Sequence, residues 1–338
     1  MAYTWDDAFL ATQREAALEP ELPIIDPHHH LWDAPGLQPY LVPQLHADTG
    51  AGHNVLATVF IDCVWDYRRD GPPELRALGE TERAAQAAAE SRGGDGAVIG
   101  GIVSYVDMSL GARAGAVLDA HVAAGDGLFR GIRHATAFAD DPAVHRSHTK
   151  PTPGLMREPA FHDGVRELAA RDLTFDAWLY FDQLAELAEL ARDVPAATMV
   201  LDHLGGPLGV GRYADDRDGM LAAWRSGIAD VARCENVHVK LGGIGMKVYG
   251  IGFDQRPTAP SSDELVAAWG EPIRYLIEQF GPDRCMFESN FPVDRESTGY
   301  VVLWNAFKKI AADYSPSERD ALFRGTAERV YRVDGSRR

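Results

Sequence analysis

Eight short runs of β-branched and other apolar residues recur along the 338-residue chain at a spacing of roughly thirty to forty, each followed by a loop and a stretch of helical composition. Ionisable residues crowd the ends of these runs, and no glycine-rich phosphate turn follows the first of them. Together these observations predict an α/β fold, a (β/α)8 (TIM) barrel. It is read as a single domain over residues 1–338, with long βα loops and an N-terminal extension over 1–22.

The first run, Ile24 to His30, enters through an apolar pair and ends in three histidines. Residues two apart on a strand share a face, so His28 and His30 converge while His29 points away. Gly36 to Gly52, rich in Pro, Gly and polar residues, reads as a loop. Val55 to Val64 is continuous and β-branched, as suits a strand covered on both faces, and Pro73 to Ser91 is its helix. The unit then repeats. Strands are expected at Val98–Val106, Phe129–Ala135, Thr174–Tyr180, Ala197–Leu204, Val237–Leu241 and Arg284–Ser289. The corresponding helices are Ala112–Ala124, Glu158–Arg171, Asp182–Arg192, Asp218–Ala232 and Asp263–Phe280, with Thr298–Ala312 and Ser317–Val330 closing the chain. The longest insertion, Gly242 to Ser262, follows the seventh strand, where a lid is expected to carry solvated Lys247, Tyr249 and Arg256.

With 46% apolar residues the chain can bury a large core. Its formal charge of -17 argues against a nucleic-acid groove or an anionic membrane surface, because phosphates would be repelled. Cys63, Cys234 and Cys285 have no paired spacing, so neither a disulfide framework nor a cysteine-based zinc site is indicated. The N-terminus lacks a basic-then-apolar signal pattern, and no run of about 18 apolar residues occurs. A cytoplasmic protein acting on a small molecule is the expectation, and aromatic residues in the long loops are compatible with a homodimer.

In such a barrel the active site lies at the carboxyl ends of the strands. Those ends offer His28 and His30; Asp62; Ser104 and Asp107; Arg133 and His134; Asp176, Trp178 and Tyr180; Asp202 and His203; Lys240; and Glu288, Asn290 and Asp294. Strand interiors are apolar and a buried charge is destabilising unless paired, so this concentration points to an enzyme. Arg133, beside His134, would suit a substrate carboxylate, or else pair with Asp176 or Asp202. Trp178 and Tyr180 could line an apolar pocket or belong to the core.

The stretches Asp26-Pro27-His28-His29-His30, Leu201-Asp202-His203-Leu204-Gly205-Gly206-Pro207 and Phe287-Glu288-Ser289-Asn290-Phe291-Pro292 resemble the branch of the amidohydrolase superfamily that contains 2-pyrone-4,6-dicarboxylate lactonase and the sugar lactonases. The likeness runs from about Pro23 to Tyr331. It implies a hydrolase of lactones or similar cyclic esters. In that scheme His28, His30 and His203 frame either one divalent metal, Zn2+ being favoured, or a metal-free site that polarises a carbonyl. A metal-dependent decarboxylase of an aromatic acid is the alternative enzyme, and a non-catalytic binding barrel the alternative class. The sequence departs from the family where an Asp is expected after the eighth strand, since Asn290 stands there and an amide cannot act as a base. Glu288, two residues earlier, or Asp294, just beyond, is the expected replacement, with Arg133, His134, Trp178, Tyr180 and Asn290 holding an anionic or cyclic-ester substrate. The fifth strand also lacks the histidine of strongly metal-dependent relatives, which argues against a binuclear centre.

Overall fold

The computed structural model describes residues 4–144 and 147–334. Eight parallel strands pair in sequence order into a nearly closed barrel: β1 (Pro23–His29), β2 (Asn54–Ile61), β3 (Val98–Ser104), β4 (Phe129–Arg133), β5 (Thr174–Ala177), β6 (Met199–Leu201), β7 (Val237–Leu241) and β8 (Cys285–Phe287). The intervening helices, among them Leu78–Ser91, Ala114–Ala124, Pro159–Ala169, Leu184–Asp193, Arg217–Ala232 and Ser262–Phe280, cover the outside. Several strands are shorter than the sequence suggests: β2 ends at Ile61, β4 at Arg133, β5 at Ala177 and β6 at Leu201. The expected loop Gly36–Gly52 contains a helix, Val42–Thr49. Pro43 opens it, Gln44 caps the Leu41 amide at 3.0 Å, and Leu45 anchors it in the core.

Strand β1 carries a bulge between Asp26 and His29. Ile25 therefore faces the barrel interior with Val59, Ile61 and Val200, while beyond the bulge His28 and His30 face inward and His29 packs outward against Phe60. Asp26, outward by alternation from Ile25, holds the seam. Its Oδ1 accepts from the amides of Ser289 (3.0 Å) and His28 (3.3 Å), and its Oδ2 from the Tyr300 hydroxyl (3.0 Å). Closure itself is made just past β8, where the Asn290 amide donates to the His28 carbonyl (3.0 Å) and the His30 amide to the Phe291 carbonyl (2.7 Å). The barrel is thus sealed at the level of the histidines.

The opposite mouth is plugged by the chain end. Ala327, Val330, Tyr331 and Val333 join the inner apolar cluster. Gly100 makes room for this plug, since a Cβ there would lie 2.7 Å from Val333. The N-terminal segment docks on the helix Tyr300–Ile310, with Asn305 and Lys308 bonding Glu15, Ala16, Leu18 and Glu19. Among the described residues no helix is long and apolar enough to cross a membrane.

Burial pushes the Asp26 carboxyl up to about 6 despite its hydrogen bonds. A folded-state value above the unfolded one of about 3.9 gives stability that is present below pH 4 and lost as pH rises through 6, amounting to about 3 kcal/mol. Asp26→Asn should remove this dependence. Urea unfolding of both proteins from pH 4 to 7 checks it, and parallel stability curves would refute it.

Candidate active site

Below the C-terminal mouth the barrel interior holds a layer of charge. Lys240, fully buried on β7, places Nζ 2.6 Å from Asp176 Oδ2, 3.0 Å from Asp202 Oδ1 and 3.2 Å from His28 Nδ1. Tyr331, from the chain-end plug, donates to the same Asp176 oxygen at 2.6 Å. Burial alone would lower the lysine, but Asp176 and Asp202 outweigh it and hold its pKa above the ordinary value.

Glu288 stands beside this layer, also fully buried. Its Oε1 accepts from His203 Nδ1 at 2.6 Å and from the His203 amide at 3.3 Å, and its Oε2 lies 2.8 Å from His28 Nδ1. His203 Nδ1 therefore carries the proton and Nε2 the lone pair. The His203 backbone is in the left-handed region (φ 53°), as is Leu204 (φ 59°). Tyr249 holds this turn by donating to the His203 carbonyl at 2.5 Å. Tyr249 is buried, so it belongs to the packing around the site and not to a solvated lid as the sequence suggested. Of its two partners in that expectation, Lys247 pairs with Glu296 (3.0 Å) and Arg256 with Glu264 (2.6 Å).

His30 Nδ1 donates to the Ile61 carbonyl at 2.8 Å, which leaves Nε2 as a bare acceptor. That atom lies 3.2 Å from His28 Nε2 and 3.3 Å from Asn290 Oδ1. The amide orientation follows from Asp294, whose Oδ1 accepts from Asn290 Nδ2 (2.8 Å) while its Oδ2 takes the Gly245 amide (2.8 Å). Both histidines are held well below their ordinary pKa, first by burial and then by Lys240 for His28 and Arg133 for His30. Burial pushes Asp294 well up.

A cavity of about 200 Å³ opens above these groups. Its lining includes His30, Arg133, His203, Asn290 and Trp178. The edge of Trp178 meets the His203 ring at 4.8 Å. Arg133 is set by Asp62, with Nε 3.5 Å from Oδ2 and a bond from Nη2 to the carbonyl; its Nη1 lies 3.3 Å from His28 Nε2 and 3.9 Å from Asp202 Oδ2. Glu288 lies beneath the cavity floor and Asp294 behind Asn290, and neither lines the cavity. Nor do His134 and Tyr180. His134 sits behind the wall between Tyr105 and Phe161 and accepts the Met108 amide at 3.2 Å, while Tyr180 is buried behind Trp178. The sequence reading missed His148, which lines the cavity with Nε2 3.3 Å from Asp62 Oδ2. It also missed Trp32, stacked on His30 at 6.2 Å. His148 lies in a long loop with no strand end to mark it, whereas the Trp two residues after His30 continued the strand-one spacing.

The resemblance implies a divalent cation, and the residues fit one. His30 Nε2 and Asn290 Oδ1 face each other as two acceptors, and His28 Nε2 presents a third when its Nδ1 proton is directed at Glu288. His28, Asp202 and His203 also cluster closely enough to share an ion, although Lys240 already neutralises Asp202. The Arg133 guanidinium stands beside these donors, with Nη1 3.3 Å from His28 Nε2. Binding there would accordingly be weak.

Gly243 has φ 67°, and a Cβ at that position would lie 2.7 Å from His203 Nδ1 and 2.9 Å from its Cβ. Gly243→Ala should displace the imidazole and lower kcat by about 10²-fold, as for other misplaced catalytic groups. A crystal structure and rate of the variant check this; an unmoved ring with full activity would contradict it.

The amidohydrolase family profile matches residues 25–333. The protein y4mH of Sinorhizobium fredii is 33% identical over 93% of this chain and 99% of its own. An L-fucono-1,5-lactonase of Burkholderia ambifaria is 25% identical over 92% of this chain and 96% of its own. Among solved structures, an amidohydrolase from Burkholderia multivorans with bound zinc superposes with a TM-score of 0.70 at 24% identity, covering 92% of this chain and 99% of that one. With its barrel, its strand-end histidines and this match over nearly its whole length, the chain belongs to the amidohydrolase family.

Proposed function

We propose that the chain hydrolyses a lactone or similar cyclic ester, with His203 as the general base. The observation that carries this reading is the Glu288–His203 pair at 2.6 Å, which fixes the tautomer and leaves the free imidazole edge on the cavity beside Arg133. The name L-fucono-1,5-lactonase on two relatives, at 25% and 28% identity, supports the lactone class.

With the lactone carbonyl seated on the cavity floor, Arg133 donates to the carbonyl oxygen and stabilises the charge that develops there. His30 cannot do so, because its proton is committed to Ile61. His203 Nε2 takes a proton from water as the oxygen attacks the carbonyl carbon. The tetrahedral intermediate then breaks the ring C–O bond, and the imidazolium returns its proton to the leaving alkoxide, giving a hydroxy acid. Glu288 supports the imidazolium throughout and is a positioning residue; Asp294 acts through Asn290. A divalent ion, when bound by His28, His30 and Asn290, supplies Lewis acidity to the carbonyl or to water. Zinc is the favoured ion by the nitrogen-rich donor set. The aromatic-acid decarboxylase requires a carboxyl group to protonate the ring, and among the described residues no carboxylic side chain lines the cavity.

Incubating the purified protein with a lactone panel and an aromatic-acid panel, with and without chelator, tests this. Ring-opened acid is expected; CO2 from the second panel, or no product from either, would overturn it. Glu288→Gln keeps the shape but offers no carboxylate to His203. It should lower kcat by about 10²–10⁴-fold and alter the acid limb of the pH–rate profile. Asp294→Asn should act more mildly, through the orientation of Asn290.

A further inference from the structure

The cavity changes character from floor to mouth. Arg133, His203, His30 and Asn290 make the floor polar, whereas the upper wall includes Leu37, Val64, Met246, Val293 and Trp178, with Ser147 and His148 the polar groups on one side. Val64 is not explained by packing. The residue is 44% exposed, and its backbone sits at φ 66°, a conformation that β-branched residues rarely adopt. Asn or Gly would meet that backbone with less strain.

The turn is nevertheless firmly held. Glu80, fully buried, accepts the amides of Cys63 and Trp65 on either side of Val64, both at 2.9 Å, and its other oxygen accepts the Ser104 hydroxyl at 2.8 Å. The Trp65 indole donates to Asp33 at 2.9 Å, and the Arg83 guanidinium covers the Trp65 ring at 4.7 Å. A buried carboxyl group and a strained backbone thus serve to project one isopropyl group at the cavity. Strain of this kind persists where the surroundings over-determine it, and such places concentrate at ligand sites.

We propose that the substrate is a lactone bearing an alkyl or aryl substituent on a ring carbon, with that substituent seated against Val64, Leu37 and Val293 and the carbonyl on the polar floor. Ring hydroxyls facing this wall would lose their water without gaining partners, so a polyhydroxylated lactone is selected against. This deepens, and rests on, the lactone-hydrolase reading.

The probes are δ-valerolactone, its 5-propyl derivative and a polyhydroxylated 1,5-lactone, assayed with the wild-type protein and with Val64→Asn. The variant suits the left-handed backbone, and its thermal transition serves as the folding control. The propyl lactone should exceed the polyhydroxylated one about 10²-fold in kcat/KM, and the ratio of propyl to unsubstituted lactone should fall at least about tenfold in the variant. Preference for the polyhydroxylated ring, or an unchanged ratio, overturns the inference while the hydrolase reading stands. If no lactone is turned over, the hydrolase reading fails, and calorimetric binding of 5-hydroxyoctanoate against a polyhydroxy acid decides the apolar seat alone. Tighter binding of the alkyl acid that is lost in Val64→Asn supports the seat, and equal affinities overturn it.

Discussion

The site depends on one buried ammonium. Lys240 joins Asp176, Asp202 and His28 in the dry interior of the barrel. Without it two carboxylates would face each other unpaired, at a penalty of several kcal/mol per ion. The partners come from β1, β5, β6 and β7, so the layer exists only when the barrel is closed in register. Arg133 extends it from β4 and Glu288 from β8. A layer of this kind is weak evidence for stability, since apolar groups of the same volume could pack as well. Its structural consequence is that the histidines above it rest on fixed charges and not on mobile solvent.

Much of this was legible in the sequence, for identifiable reasons. Parallel strands covered on both faces read as continuous apolar runs, so the barrel and the convergence of strand ends followed from pattern alone. The face shared by His28 and His30 was legible too, although the bulge that puts them on the same face as Ile25 was not, because a single inserted residue leaves no periodic trace in a strand this short. His148 and Val64 were out of reach for a different reason. They reach the cavity through loop conformations, and no strand phase fixes the direction of a loop side chain.

Depth was the other quantity the sequence could not supply. Glu288 shares the inward face with Asn290 by spacing, which made it a candidate base, yet β8 ends at Phe287 and the chain turns through a left-handed Asn290, so the two side chains come to different depths. That is the difference between a group on the cavity floor and one beneath it. At that depth a carboxylate reaches the imidazole nitrogens and not the substrate. The substitution of Asn for a family Asp at 290 is consistent with the same layering: the amide bonds Asp294 through its nitrogen and presents its oxygen to His30.

At this mouth Val64, His203 and Asn290 lie in the left-handed region, as do their neighbours Asp66 and Leu204, and each of the first three is tied to a buried carboxyl group. Glu80 accepts the amides flanking Val64, Glu288 accepts the His203 amide, and Asp294 accepts the Asn290 side chain. The arrangement has a physical logic. A strand that ends by turning sharply leaves amides with no ladder partner, and in a water-poor interior an unmet amide is as destabilising as the strained dihedral itself. A carboxylate with two acceptor oxygens can satisfy one or two such amides and still bond a side chain, so it fixes the turn and the functional group together. The acidic residues of the mouth therefore act mainly on geometry, and the chemistry falls to the imidazole and guanidinium groups they hold in place.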